Sequence, residues 1–344
     1  MRVLIDVRPA ASCGTGIGRY ANMLAEVTRE PVQGHVCAAA DGARLRFGSA
    51  QEQELSLPAL LERERVELLH SPLFQLPALL AACAAVITIH DAAPVLHPEL
   101  TSPGFARLFE QAALAAERAA VVVCPSESAR DEVVRALSLP PEKVCVVPET
   151  PAAVFEQSSL PPRAEEEPFL LVVGSVEPRK NPLAILEALA AAPDLPRVVF
   201  AGPLAGTDLW GEAQRLGVKD RVRLVGWVED RELVRLYRSA TALVFPSRYE
   251  GFGLPVIEAF ACDTPVVAST APAVREVAGD AALLVDPDDV DGLANAIQRV
   301  IADEALRAEL RTRGRKRLEE RYSPQAVRAG LAAAWNLAAK EVAA

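Results

Sequence analysis

Short apolar runs rich in valine, isoleucine and leucine punctuate the chain, and most of the stretches between them carry apolar residues at helical spacing. In the first half the runs are RVLIDV, HVCAAA, VELLHSP, AVITIH, AVVVCPS and KVCVVP, and in the second FLLVVGS, RVVFAGP, RVRLVGW, ALVFPS, TPVVAS and AALLVDP. A strand that reads as continuously apolar, not alternating, is one buried on both faces, as in a parallel sheet covered by helices. Strand alternating with helix predicts right-handed βαβ units. Between the two sets lies ETPAAVFEQSSLPPRAEEEP, aperiodic and rich in proline, serine and glutamate, which predicts a linker over residues 149 to 168.

The pattern therefore predicts an α/β chain of two doubly wound, Rossmann-like domains with about six strands each. Their expected extents are residues 1–155 and 165–322, with a separate helix over 323–344 that opens on Ser323 as N-cap and Pro324 at the first helical position. Ligands in open α/β sheets bind beyond the carboxyl ends of strands, so two domains with those ends facing would form one cleft.

A length of 344 residues suits two domains of about 150. Composition narrows the partners: 51% hydrophobic and 24% charged residues describe a globular chain, and a net charge of -10 argues against a sequence-independent grip on nucleic acid or on anionic lipid. The six cysteines stand singly, without metal-ligand or redox spacing, and several lie inside apolar runs as core-filling thiols. The chain enters its first strand pattern at MRVLIDVRP without the zones of a signal peptide, and LPALLAACAAVITI is too short to span a bilayer. These features predict a cytoplasmic protein, with peripheral contact at the inner face of a membrane left open.

The unusual motifs fall at predicted strand ends. GTGIGRY, from Gly14 to Tyr20, lacks the third glycine of a dinucleotide fingerprint, because Arg19 stands there, and RPAASC separates it from the first strand. It reads either as a flexible loop before a helix starting near Gly18, or as a place where Gly16 and Gly18 admit a phosphate to free helix amides. In GSVEPRKNP, Arg179 and Lys180 stand together at a strand end, a pair suited to a diphosphate, with Asn181 as N-cap and Pro182 at the first helical position. His90 ends the fourth strand beside Asp91. In YEGFGLPVIEA, Pro255 opens a helix, Glu258 sits in its first turn where the dipole favours a carboxylate, and Glu250 precedes the glycines without such a reason. A carboxylate can grip a diol, so this stretch suits a nucleotide sugar. DPDD, at Asp286 to Asp289, precedes a helix and reads as a cap, not a metal site.

These residues resemble a family. EGFGLPVIEA is similar to the E-x7-E motif of retaining glycosyltransferases of the GT-B fold, family four, the bacterial mannosyltransferase-like group; GTGIGRY, HSPLFQLP, TIHD, CPSESARDEV, VGSVEPRKNP, RVRLVGWVEDREL and LVDPDDVDGLANAI follow in the family's order. The resemblance implies that the final helix crosses back onto the first, acceptor-side domain, and that the second holds the nucleotide-sugar donor. It implies donor-phosphate contact at Gly16, a reacting centre near His90, a diphosphate held by Arg179 and Lys180, and sugar hydroxyls on Glu250. Phe252, Gly253 and Leu254 would offer their backbone to the donor, Glu258 would bind the ribose, and the strand end at Gly226 to Val228 would cradle the base.

It also implies no cofactor and no essential metal. The acceptor, whether sugar, lipid-linked sugar or small molecule, would meet loops around Arg19-Tyr20 and HSPLFQLP. Two departures stand out: VPETPAAVF replaces the family's proline-asparagine-glycine turn, and Ser175 occupies a donor-loop position that is often basic. Mannose from GDP-mannose is the favoured donor; the alternatives are a nucleotide-sugar epimerase of the same fold and a non-catalytic sugar-nucleotide-binding subunit.

Overall fold

The computed structural model describes residues 1–11, 16–29, 32–33, 35–40, 50–76, 83–101, 103–156 and 167–343. They divide into two compact units, Met1–Ala152 with Ser323–Ala344, and Ala153–Tyr322.

The first unit carries strands β1 (Arg2–Asp6), β2 (Val36–Ala40), β3 (Leu68–Ser71), β4 (Ala84–Thr88), β5 (Val121–Cys124) and β6 (Val144–Val146). Its helices are α1 (Gly16–Val27), α2 (Ala50–Arg63), the short α3 (Ala93–Leu96), α4 (Pro103–Arg118) and α5 (Glu127–Leu137). The sheet is parallel, in the order β2-β1-β3-β4-β5-β6. Successive residues of one strand feed opposite faces: Val86, Val121 and Val123 join one core with Tyr20 and Leu24, while Ile87, Val122 and Cys124 join another with Phe109 and Val133. Both faces need apolar side chains, which is why these strands read as unbroken apolar runs.

The second unit has helix α6 (Ala153–Glu156), strands β7 (Phe169–Val173), β8 (Arg197–Ala201), β9 (Val222–Gly226), β10 (Ala242–Phe245), β11 (Val266–Ser269) and β12 (Leu283–Val285), and helices α7 (Pro182–Ala191), α8 (Leu209–Arg215), α9 (Asp230–Ser239), α10 (Leu254–Ala261), α11 (Pro272–Ala278), α12 (Val290–Ala302) and α13 (Glu304–Arg321). Its parallel order is β12-β11-β10-β7-β8-β9. Relabelled within the unit this is the doubly wound Rossmann order, which reverses between β7 and β10. Asp289 caps α12 by accepting from the Gly292 amide at 2.8 Å, and Asp303 breaks the helical run by capping α13 through the Leu306 amide at 2.9 Å.

The last helix, α14 (Pro324–Ala343), belongs to the first unit. Ser323 caps it through the Ala326 amide at 3.3 Å, and Val327, Leu331 and the fully buried Trp335 enter the same core as β1, β4 and β5. Thus the twelve apolar runs correspond to twelve strands among the described residues. The expected linker starts later than residue 149: Glu149 and Thr150 are 6% and 3% exposed, inside the first unit, and Phe155 is buried in the second; residues 157–166 of that stretch lie outside the described residues. Cys124 and Cys262 are buried thiols and Cys83 and Cys145 half-buried ones, all unbridged. Among the described residues no helix is long and apolar enough to cross a membrane.

Candidate functional site

In the second unit the loops after β7 and β10 leave neighbouring strands at the point where the strand order reverses, the place where open α/β sheets bind their ligands. Two glycines shape the floor. Gly174 has φ +121 and Gly202 φ +156, and a Cβ on Gly202 would stand 1.9 Å from the Gly174 carbonyl oxygen, so β7 and β8 end backbone against backbone. The Lys180 side chain lies over Gly174, its Cε 3.4 Å from where a Cβ would be.

A 3₁₀ turn, Pro178–Lys180, then presents both cations. Arg179 donates from Nη1 to Glu250 Oε2 at 2.7 Å and to the Tyr249 carbonyl at 3.0 Å, and from Nη2 to Glu177 Oε1 at 2.9 Å. Lys180 Nζ donates to the other oxygen of Glu250 and lies 5.1 Å from the centre of the Phe245 ring. The Arg248 amide donates to the Arg179 carbonyl at 2.9 Å, tying the two loops together. The Glu250 side chain is 8% exposed. Burial alone would raise its pKa, but Arg179 and Lys180 outweigh burial and hold the carboxyl at about 2. Burial lowers the Lys180 pKa, against the pull of Glu250. Glu177 and Glu250 together offset the two cations, so the pair expected to meet a diphosphate is already neutralised by carboxylates.

The glycine-rich stretch ends at Gly253, whose φ of +120 sets the entry to α10. Leu254 is the first helical residue, with Pro255 following; Phe252 is buried edge-on against Tyr322 at 5.6 Å. Glu258 is 1% exposed, and its Oε2 accepts from the Tyr237 hydroxyl at 2.9 Å. Ser175 is half-buried at the start of the β7 loop, and Val228 is half-buried beyond Gly226, beside the 54% exposed Trp227. Asn181 stands at the N-cap position of α7 but does not cap it. Its φ is +55, and its side-chain amide donates to the Pro287 carbonyl at 2.7 Å and to Pro246 at 3.3 Å, so it joins three loops. A cavity of about 460 Å³ nearby is lined by Pro178, Asn181, Thr207, Arg248 and Asp288, without Lys180 or Glu250.

In the first unit, His90 lies two residues beyond β4. Its Nε2 donates to the Pro72 carbonyl at 3.1 Å and its Nδ1 stands 3.6 Å from the Glu149 carboxylate. Its ring packs edge-on against Tyr20, centroids 4.6 Å apart. Asp91 turns away to accept from the Ala93 amide at 3.0 Å. Glu149 was not singled out from the sequence; the signal available was the departure VPETP itself. Gly16 is exposed as the first residue of α1, two positions before the expected start, with nothing within 4 Å of an added Cβ. Gly14 and Thr15 of the same motif lie outside the described residues. Tyr20, expected near an acceptor loop, is instead 1% exposed with its hydroxyl 3.1 Å from Thr88 Oγ1, because α1 turns that side chain into the core.

Two parallel-sheet α/β units, the second in Rossmann order with Arg179, Lys180 and Glu250 gathered at its switch point, have the architecture of the GT-B fold. Residues 155–317 match the model of the glycosyl transferases group 1, and residues 16–149 that of glycosyltransferase family 4. The O-antigen chain mannosyltransferase B of Escherichia coli is 31% identical over 264 residues, covering 71% of this chain and 68% of that protein. The O-antigen chain mannosyltransferase RfbU of Salmonella typhimurium is 30% identical over 220 residues, covering 62% and 60%. Among solved structures, sucrose-phosphate synthase from Thermosynechococcus elongatus superposes with a TM-score of 0.74 at 22% identity, over 98% of both chains. Anabaena HepE, solved with UDP-glucose, gives 0.74 at 18% identity, over 98% of this chain and 99% of that one. The chain belongs to the group 1 glycosyltransferases, family 4.

Proposed function

We propose that this enzyme transfers a hexose, with mannose from GDP-mannose the favoured donor, to an acceptor hydroxyl, with retention of anomeric configuration and without an essential metal. The observation that carries this reading is the convergence of Arg179, Lys180 and Glu250 at the carboxyl ends of the adjacent strands β7 and β10. The relatives named as mannosyltransferases support the sugar, and the HepE structure with UDP-glucose supports a nucleotide diphosphate donor.

In this reading the bond from sugar C1 to the phosphate oxygen breaks with its electron pair staying on the diphosphate. Arg179 and Lys180 stabilise that growing charge, with backbone amides at Gly253 and Leu254 and around Gly16 adding to them. These groups supply the positive charge that a metal would otherwise bring. Glu250 keeps both cations in place and retains lone pairs for sugar hydroxyls, since a carboxylate accepts about four hydrogen bonds. Glu258, the fifth residue of α10 and so one turn further in than expected, takes a ribose hydroxyl beside the Tyr237 hydroxyl, while Ser175, Val228 and Phe252 border the nucleotide. His90 approaches the transferred sugar. The acceptor oxygen bonds to C1 on the face that the leaving group vacates, and its proton passes to the freed phosphate oxygen.

The test is incubation with GDP-mannose and a panel of sugar, lipid-linked and small-molecule acceptors, followed by mass spectrometry and the anomeric proton signal of the product. Release of GDP with an α-linked mannosyl product, unchanged by EDTA, is expected. Clean epimerisation of the donor, or a strict metal requirement, would contradict the reading.

A further inference from the structure

We propose that a buried hydrogen-bonded chain, Trp335 to His70 to Thr88 to Tyr20, is a positioning device for His90, through which the C-terminal helix sets the orientation of that imidazole; the inference rests on the role given to His90 above. Each link is short and shielded. The Trp335 indole donates to His70 Nδ1 at 3.1 Å, His70 Nε2 lies 3.1 Å from Thr88 Oγ1, and Thr88 Oγ1 lies 3.1 Å from the Tyr20 hydroxyl. Trp335, His70 and Thr88 are fully buried and Tyr20 is 1% exposed.

An indole nitrogen can only donate, so His70 Nδ1 accepts, its ring proton sits on Nε2, and Nε2 donates to Thr88. Burial lowers the His70 pKa to about 3, which keeps the ring neutral and this tautomer single. Thr88 and Tyr20 then share a hydroxyl contact that fixes the phenol ring along its long axis. His90 packs against that phenol ring: the two rings stand at 88° with centroids 4.6 Å apart. The Pro72 carbonyl accepts from Nε2 of His90, the Glu149 carboxylate stands 3.6 Å from Nδ1, and Tyr20 packs against the ring itself.

Four polar groups buried between two strands and two helices are costly unless all are satisfied, and each of these has its partner. The chain is also long-range: His70 is on β3, Thr88 on β4, Tyr20 on α1 and Trp335 on α14. Loss of the indole donor at Trp335 would thus reach His90 without touching it.

Trp335→Phe removes the donor and keeps an aromatic ring; Thr88→Val removes the hydroxyl at similar volume, and Thr88→Ser restores it. Histidine-labelled protein is followed by nitrogen NMR, and turnover as GDP released from GDP-mannose. We expect His70 to lose its single tautomer in Trp335→Phe, and the His90 ring signals to move in both Trp335→Phe and Thr88→Val and to return in Thr88→Ser. Turnover should fall at least about fivefold with KM for the donor unchanged, and the loss should disappear in a His90→Ala background. His90 signals that stay unmoved in Trp335→Phe and Thr88→Val overturn the proposal, as does an equal turnover loss with and without His90. Should Trp335→Phe fail to fold, the Thr88 pair decides by the same signals. Normal turnover of His90→Ala alone would instead overturn the role given to His90, and the NMR arm would still decide the relay.

Discussion

Glu250 holds one carboxylate oxygen against Arg179 and the other against Lys180, with its side chain 8% exposed. A carboxylate placed before a glycine turn without helix-dipole support stood out in the sequence, and so did the adjacent cations of EPRKNP. Their mutual contact did not, because it joins positions 71 residues apart through the order of the strands. Glu149 was hidden for the same reason: its meaning comes from His90, far away in the chain. The Glu250 cluster makes stability depend on pH. The folded pKa of about 2 lies below the ordinary 4.5, so the stabilisation is complete above about pH 4.5 and is lost as pH falls towards 2. Over that window it amounts to about 3 kcal/mol. Denaturant titrations of wild type and Glu250→Gln should therefore differ in pH dependence between pH 5 and 2, the variant losing less; parallel curves would show that the cations do not hold the carboxylate.

Among the elements, the strands were the most legible part, since a doubly covered parallel sheet requires continuous apolar runs and the chain supplies twelve. Helix starts were legible where the cap is local: Asp289 and Ser323 each accept from an amide three residues on. Asn181 misled because an N-cap is inferred from a short window, whereas its amide is used across 65 and 106 residues. Tyr20 misled because a motif marks a segment and not the face of the helix that carries it. The pairing of Gly174 with Gly202 was likewise invisible, although it lies at the base of the loop bearing Arg179 and Lys180, with the Lys180 side chain over Gly174. Gly202→Ala would drive a Cβ into the Gly174 carbonyl, and overpacking of a backbone contact costs on the order of 1–3 kcal/mol. A lower unfolding midpoint together with weaker nucleotide binding is expected in this variant; an unchanged pair of values would mean the β7 loop does not depend on that contact.

For the molecule as a whole, the chain folds as two compact units, and its last helix returns to complete the core of the first. Length, composition and the two sets of six runs foretold this division, while the resemblance foretold the helix's return; nothing in the helix's own pattern names its partner, because Trp335 reads simply as an apolar residue until His70 is beside it. Against a net charge of -10, the proposed donor site rests on Arg179 and Lys180, whose charge Glu177 and Glu250 balance until a diphosphate arrives. The most direct measurement is the affinity of GDP-mannose for wild type and Lys180→Ala by isothermal titration calorimetry, with unfolding midpoints recorded in parallel. Loss of a charge-assisted diphosphate contact should weaken binding at least about tenfold while the variant stays folded. A folded Lys180→Ala protein that binds GDP-mannose as tightly as wild type would contradict the assignment of the switch point between β7 and β10 as the donor site.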